Sequence, residues 1–367
     1  MKRSFIREIL ESIDESTISF AGGLPSEKLF PREDLKIATM KIFDNPKAFQ
    51  YGVSNGIPEL REKIAQRYTK EGFPTTKDNI LITTGSQQAM YIIAKAFESK
   101  DITIEEPSYL GAMNIFRLNH LNMKGVKLEN DGVNIEKFKE SFKQTKLAYI
   151  IPDFQNPSAR TYSDAKREEI AKIVEEEDGI LIEDSPYSEL FFDKKNVSIS
   201  EKIPTRSFHL GSFSKTLVPS LRIGWIRADE KLLNSLMIIK ESIDLHSCGI
   251  SQYILNEYLK DEEKYEKHLQ DIRDDYEKKA NFFCEQLDKN LPEFKYEKPK
   301  GGMFLYGGFE GVDSFALVQK CLAKKVVFVP GNQFYIDKIP NGEIRFNYTH
   351  STFEQIEQGI KLIKSCL

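Results

Sequence analysis

Tryptophan and cysteine are scarce in this chain, with one of the first and four of the second among 367 residues. Cys248, Cys284, Cys321 and Cys366 lie far apart and form no C-x-x-C pair, which argues against a disulfide framework or zinc ribbon and for reduced core thiols. The five histidines show neither H-x-x-x-H nor H-E-x-x-H spacing, so no metal site is expected. No apolar run approaches the roughly 20 residues that span a bilayer. The N-terminal stretch Met1–Glu8 lacks the continuous apolar core of a signal peptide, so the cytoplasm is the expected location. Charge of neither sign dominates. The 52 basic and 56 acidic residues leave a net charge of −4, which gives no footprint for nucleic acid. Neither internal repeats nor low-complexity segments occur.

What is present is an ordinary globular composition, 40% hydrophobic and 29% charged. A chain of 367 residues exceeds the size at which one core keeps growing, so a large domain with a smaller companion is expected. Residues 4–13 place Phe5, Ile6, Ile9, Leu10 and Ile13 at helical spacing. Two irregular Gly/Pro segments follow, ISFAGGLPSEKLFP and QYGVSNGIP. Short buried strands are then predicted at Ile80–Thr83, Ile102–Glu105, Leu147–Ile151, Ile180–Ile182 and Phe208–Leu210, with helices such as Gln87–Phe97 and Ala165–Glu177 between several of them. That alternation predicts a mostly parallel sheet covered on both faces. Residues 253–290 read as one long charged helical region with an apolar stripe Tyr265, Leu269, Ile272, Tyr276, Phe283, Leu287. Short strands and helices after residue 291 suggest a small α+β unit.

Polar, turn-forming residues follow each predicted strand: Gly85-Ser86-Gln87, Glu106-Pro107-Ser108-Tyr109, Pro152–Pro157 and Glu183–Tyr187. Open α/β sheets bind ligands just beyond the carboxyl ends of their strands. The segment after the fifth strand stands out. In SFHLGSFSKTLVPSLRIGWIRA, Ser207–Ala228, a strand is expected to turn on Gly211 and present Ser212, Ser214 and Lys215, with Arg222 seven residues later. Such a lysine suits imine formation with an aldehyde, and the serines and arginine can donate to a phosphate.

The S-F-S-K…R-I-G-W order resembles the cofactor-lysine segment of pyridoxal-phosphate aminotransferases of fold type I. The likeness extends along the chain through IREIL, ISFAGGLPSEKLFP, QYGVSNGIPELRE, ITTGSQQAM, EEPSYLGA, PDFQNPSARTYS, IEDSPYSEL and VPGNQFY…IRFNYT. It is greatest for class I/II aminotransferases of the aspartate aminotransferase superfamily, on the 2-aminoadipate and kynurenine branch. The resemblance implies an α/β fold with a seven-stranded-type, mostly parallel sheet between helices and a smaller α+β domain. It divides the chain into an N-terminal helix and arm (1–44), a large cofactor-binding domain (45–265) and a C-terminal small domain (266–367).

The resemblance also implies roles. Lys215 would hold pyridoxal 5'-phosphate as an imine and then serve as the base at the substrate α-carbon, which requires a lowered pKa. Asp184 would pair with the protonated pyridine nitrogen and keep the ring an electron sink. Tyr187 and Asn156 would hydrogen-bond the cofactor's phenolate oxygen, and Tyr109 would stack on its ring. Ser86 and Gln87, at a helix N-terminus, would join Ser212, Ser214 and Arg222 around the phosphate. Tyr51 would reach the phosphate of a partner chain, implying a homodimer with shared sites. Arg345 would fork onto the substrate α-carboxylate, with Gly23 and Asn156 beside it. Arg7, near Ser4, would meet the distal carboxylate of a dicarboxylic substrate; its alternative is a solvated arginine on an amphipathic helix.

The function implied is transfer of an amino group from a glutamate-like, 2-aminoadipate, aromatic or branched amino acid to a 2-oxo acid, with 2-oxoglutarate as the expected acceptor. A β-elimination on the same cofactor is the first alternative. An effector domain of a transcriptional regulator is the second. It is disfavoured because roughly 20 residues precede the family pattern, too few for a helix-turn-helix domain.

Overall fold

The structure is a computed structural model that describes residue 14, residues 16–97 and residues 99–367. Eight strands form its large sheet, in the order Ile80–Thr83, Gly224–Arg227, Ser207–Ser212, Ile180–Asp184, Leu147–Ile150, Asp101–Glu106, Asn122–Glu129 and Gly132–Val133. The five neighbours from Ser207–Ser212 to Asn122–Glu129 are parallel. Gly224–Arg227 runs antiparallel to both its neighbours, and Gly132–Val133 is a two-residue hairpin partner on the far edge. The expected seven-stranded-type sheet is thus present with one short strand added.

These strands read as continuous apolar runs because both faces are covered. Ile80–Thr83 and Leu147–Ile150 are buried at every position. Helices Ser86–Ala96 and Leu110–Leu118 pack on one face through Ile92, Ile93, Met113 and Phe116. Phe138, Phe142, Ile170 and Val174, from helices Ile135–Thr145 and Asp164–Glu176, close a second core. Polar strand residues sort by alternation. In Ile180–Asp184, Glu183 turns to one face and accepts from Ser200 Oγ and the Ile199 and Ser200 amides, while Asp184 turns to the other.

A four-stranded antiparallel sheet, Lys295–Tyr296, Phe304–Gly308, Glu343–Asn347 and Val329–Pro330, lies after the long helix Glu262–Asn290. The chain start returns to it. Ile18–Ser19 pairs with Val326–Val327, the Phe20 amide donates to the Val327 carbonyl, and the Asn347 amide donates to the Phe20 carbonyl. The segment Ala21–Gly23 is thereby carried beside strand Glu343–Asn347.

Three expectations change. The helical region expected over 253–290 is two helices, Gly249–Tyr258 and Glu262–Asn290, because the Asp261 side chain accepts from the Lys264 amide and starts a new helix. The stripe from Tyr265 to Leu287 is buried as expected. Strand Ser207–Ser212 does not turn at Gly211 but runs straight through it. A Cβ there would lie 2.1 Å from the Trp225 ring, so glycine serves close packing in the sheet. Cys284, Cys321 and Cys366 are buried free thiols, but Cys248 is exposed at the start of helix Gly249–Tyr258. The helix expected over 4–13 lies outside the described residues.

Candidate active site

The carboxyl ends of the parallel strands open into a cavity of about 160 Å³. Its walls include Ser86, Gln87, Tyr109, Asp184, Tyr187, Ser212, Ser214, Lys215 and Arg222. Nine residues expected from sequence thus meet in one place. Strand register explains the convergence: Asp184 pairs with Leu210 on the neighbouring strand, so Ser212 and Lys215 continue past the same sheet edge.

Lys215 donates from Nζ to the Gly23 carbonyl at 2.7 Å. Burial, with Arg345 and Arg222 nearby, lowers its amine to about 8. Asp184 is 2% exposed, and burial pushes its carboxyl up to about 7 against the opposing effect of a hydrogen bond from Tyr149. That Tyr149 hydroxyl donates to Oδ2 at 2.8 Å, while Oδ1 is buried with no partner among the described residues. Burial also raises Tyr187, whose hydroxyl accepts from Asn156 Nδ2 at 3.3 Å.

Asn156 links this group to Arg345. Arg345 Nη1 donates to Asn156 Oδ1 at 2.8 Å, and Nη2 donates to the Ala21 carbonyl at 2.5 Å. Its guanidinium lies 4.3 Å from the centre of the Phe304 ring, and its Nε is buried without a partner among the described residues. Burial lowers this guanidinium to about 10. An arginine so enclosed, with a free donor and no carboxylate from the described residues, is set to receive an acceptor from outside the chain.

At the other end stand the amides of helix Ser86–Ala96, which its N-cap residue leaves without a side-chain cap. That N-cap, Gly85, has φ +77°, and a Cβ there would meet Arg222 Nη2 at 2.7 Å. Arg222 donates to Ser214 Oγ at 3.3 Å, and the Ser214 amide donates to Ser212 Oγ at 3.1 Å. Uncapped amides, hydroxyls and a guanidinium together form an anion cradle.

The family model for class I and II aminotransferases matches residues 21–363. The chain belongs to that family. An aromatic-amino-acid aminotransferase of Thermococcus litoralis is 34% identical, over 98% of this chain and 90% of its own length. The structure of LysN, an α-aminoadipate aminotransferase of Thermus thermophilus complexed with N-(5'-phosphopyridoxyl)-L-leucine, is 32% identical with a TM-score of 0.92, covering 100% of this chain and 95% of its own. The kynurenine aminotransferase of Pyrococcus horikoshii, solved with PMP, is similar at 32% identity and a TM-score of 0.93, covering 100% of this chain and 94% of its own. The fold is that of fold type I transferases, and the enzyme is a pyridoxal-phosphate-dependent transaminase.

The cavity fits that cofactor on its own evidence. An orphaned carboxylate oxygen on Asp184, a lysine amine lowered to about 8 and an uncapped helix terminus suit a ring nitrogen, an aldehyde and a phosphate, respectively. One of the expected residues stands apart. Tyr51 is 81% exposed and packs against His246, with ring centres 6.0 Å apart. Arg7, with Ser4, lies outside the described residues.

Sequence reasoning missed Tyr149 and Glu105. Glu105 is fully buried, and burial raises it to about 8. It accepts from the Ile151 amide, Gln155 Nε2 and the Tyr162 hydroxyl, holding the loop that carries Asn156. The signal available was the one that marked Asp184: an acid ending a buried strand.

Proposed function

We propose that this enzyme transfers the amino group of a 2-aminoadipate-like, glutamate-like, aromatic or branched amino acid to a 2-oxo acid, with 2-oxoglutarate as the principal acceptor. The observation that supports it is the spacing of three groups around one cavity. Lys215 and Asp184 both line it, and Arg345 joins through Asn156 and Tyr187. When bound, pyridoxal phosphate supplies an electron sink for charge leaving the substrate α-carbon.

The remaining work falls to the chain. Arg345 forks onto the α-carboxylate that every donor and acceptor shares. Lys215, its amine lowered to about 8, would take the α-proton of the donor and, in the second half of the exchange, give a proton to the α-carbon of the acceptor. Asp184 would hold a compensating negative charge for the cofactor's ring nitrogen. Tyr187 and Asn156 would hydrogen-bond its phenolate oxygen, Tyr109 would stack on its ring, and Ser86, Gln87, Ser212, Ser214 and Arg222 would hold its phosphate. Gly23, through its carbonyl, positions the lysine amine.

The proposal includes a homodimer in which Tyr51 completes the partner's phosphate site. Its support is the run of exposed apolar residues Ile37, Met40, Phe43, Phe49, Tyr51 and Val53, each more than half exposed. We assign Arg7 to the distal carboxylate of dicarboxylic substrates. The division at 44/45 and 265/266 is also part of the proposal, with helix Glu262–Asn290 as the link. Free thiols at all four cysteines favour a reducing, cytoplasmic compartment.

The deciding experiment is a donor panel with 2-oxoglutarate, covering glutamate-like, aromatic, branched and kynurenine substrates. Formation of glutamate from 2-oxoglutarate with release of the donor's 2-oxo acid is the expected result. Release of ammonia and pyruvate from a β-substituted donor without glutamate would replace the reading with elimination.

A further inference from the structure

We infer that Tyr149 is a positioning residue for the cofactor's ring nitrogen, acting through Asp184. The inference rests on the proposed pairing of Asp184 with that nitrogen.

The two side chains come from adjacent parallel strands. Tyr149 pairs in register with Ile182, and Asp184 lies two residues on, so both project from the same face of the sheet. Tyr149 is 0% exposed and Asp184 is 2% exposed. The hydroxyl donates to Oδ2 at 2.8 Å, and no atom of the described residues bonds Oδ1. Holding one carboxylate oxygen fixes the rotation of the group and leaves the other free in a set direction.

The tyrosine ring is itself fixed, edge-on against Phe116 at 5.4 Å. Phenylalanine would satisfy that packing, and a buried hydroxyl costs stability unless it is bonded. The charged or titratable groups felt at Tyr149 are Asp184, Glu105 and Tyr109. Glu105 is already bonded by the Ile151 amide, Gln155 and Tyr162, so the Tyr149 hydroxyl serves Asp184. Its donation also opposes the upward push of burial on the Asp184 carboxyl. Without it the aspartate would both swing and tend toward the neutral acid.

The test compares equilibrium binding of pyridoxal phosphate with that of its 1-carba analogue, in which a ring CH replaces the nitrogen. Full-length apoenzyme is used as wild type, Tyr149→Phe and Asp184→Asn. Wild type should prefer pyridoxal phosphate. Tyr149→Phe should lose roughly tenfold in affinity for pyridoxal phosphate and nothing for the analogue, the loss of one hydrogen bond to a charged group. The ratio is taken within each protein, so a general loss of stability does not move it. Equal weakening of both ligands, or an unchanged preference, would overturn the role of Tyr149 while leaving Asp184 in place. A wild type that does not discriminate between the two ligands, or an Asp184→Asn variant that keeps the full wild-type preference, would remove the Asp184 pairing, and this inference with it.

Discussion

The Gly23 carbonyl accepts a 2.7 Å hydrogen bond from the Lys215 amine, joining residues 192 positions apart. The bond aims Nζ into the gap between the large sheet and the segment that returns to the small one. It couples cofactor chemistry to a backbone that also presents the Ala21 carbonyl to Arg345.

Because burial and two arginines lower Lys215 to about 8, its capture of pyridoxal phosphate has a distinct pH dependence. The rate of imine formation by apoenzyme should rise with pH and level off above a midpoint near 8, well under the ~10.4 of an ordinary lysine. Stopped-flow absorbance checks this. Borohydride reduction and peptide mapping should place the phosphopyridoxyl adduct on Lys215, and Lys215→Ala should bind cofactor without transamination. An adduct on another lysine would move the site.

Asp184 works against the stability of the empty protein. Its folded carboxyl lies at about 7, above the ~3.9 of an unfolded chain. Between those values the folded state keeps a proton that the unfolded state has lost, so stability from this group falls as pH rises. Apo Asp184→Asn should therefore melt above apo wild type at pH 8, with the gap closing below about pH 4. The same variant should slow α-proton abstraction far more than it weakens donor binding. A deuterium-labelled donor in single-turnover kinetics separates the two.

Arg345 is forked between Asn156 and Ala21 and stacked on Phe304, a geometry that lysine cannot reproduce. Arg345→Lys should lower kcat/KM for all donors by roughly tenfold to a hundredfold, the worth of a charge-assisted contact. A loss confined to one class of side chain would mean that Arg345 reads the side chain instead of the α-carboxylate.

Tyr51 stands exposed beside His246, outside its own chain's cavity. Tyr51→Phe should weaken cofactor retention on dialysis. Mixing it with Lys215→Ala chains should restore part of the activity, since one of the two hybrid sites then has both groups intact. Full activity in a chain that sediments as a monomer would contradict shared sites.

Arg7→Ala should reduce turnover of glutamate and 2-aminoadipate by roughly tenfold to a hundredfold and leave aromatic donors nearly unchanged. Equal losses on both classes would assign Arg7 to supporting its helix. No loss on either would make it a solvated arginine.

Most of the fold was legible because it follows from local chemistry. Apolar runs of four to six residues, such as Leu147–Ile150, can be buried on both faces only in a covered sheet, and the polar turns after them mark its ligand edge. The sequence by itself determined the run of strands, the lysine segment and the acid Asp184. Tertiary structure alone decided what each group touches. Nothing local says that Gly211 must be bare to admit Trp225 or that Tyr149 bonds Asp184 from a neighbouring strand. Those facts depend on register and on partners in neighbouring strands, and a buried polar group's energy depends on whether such a partner arrives.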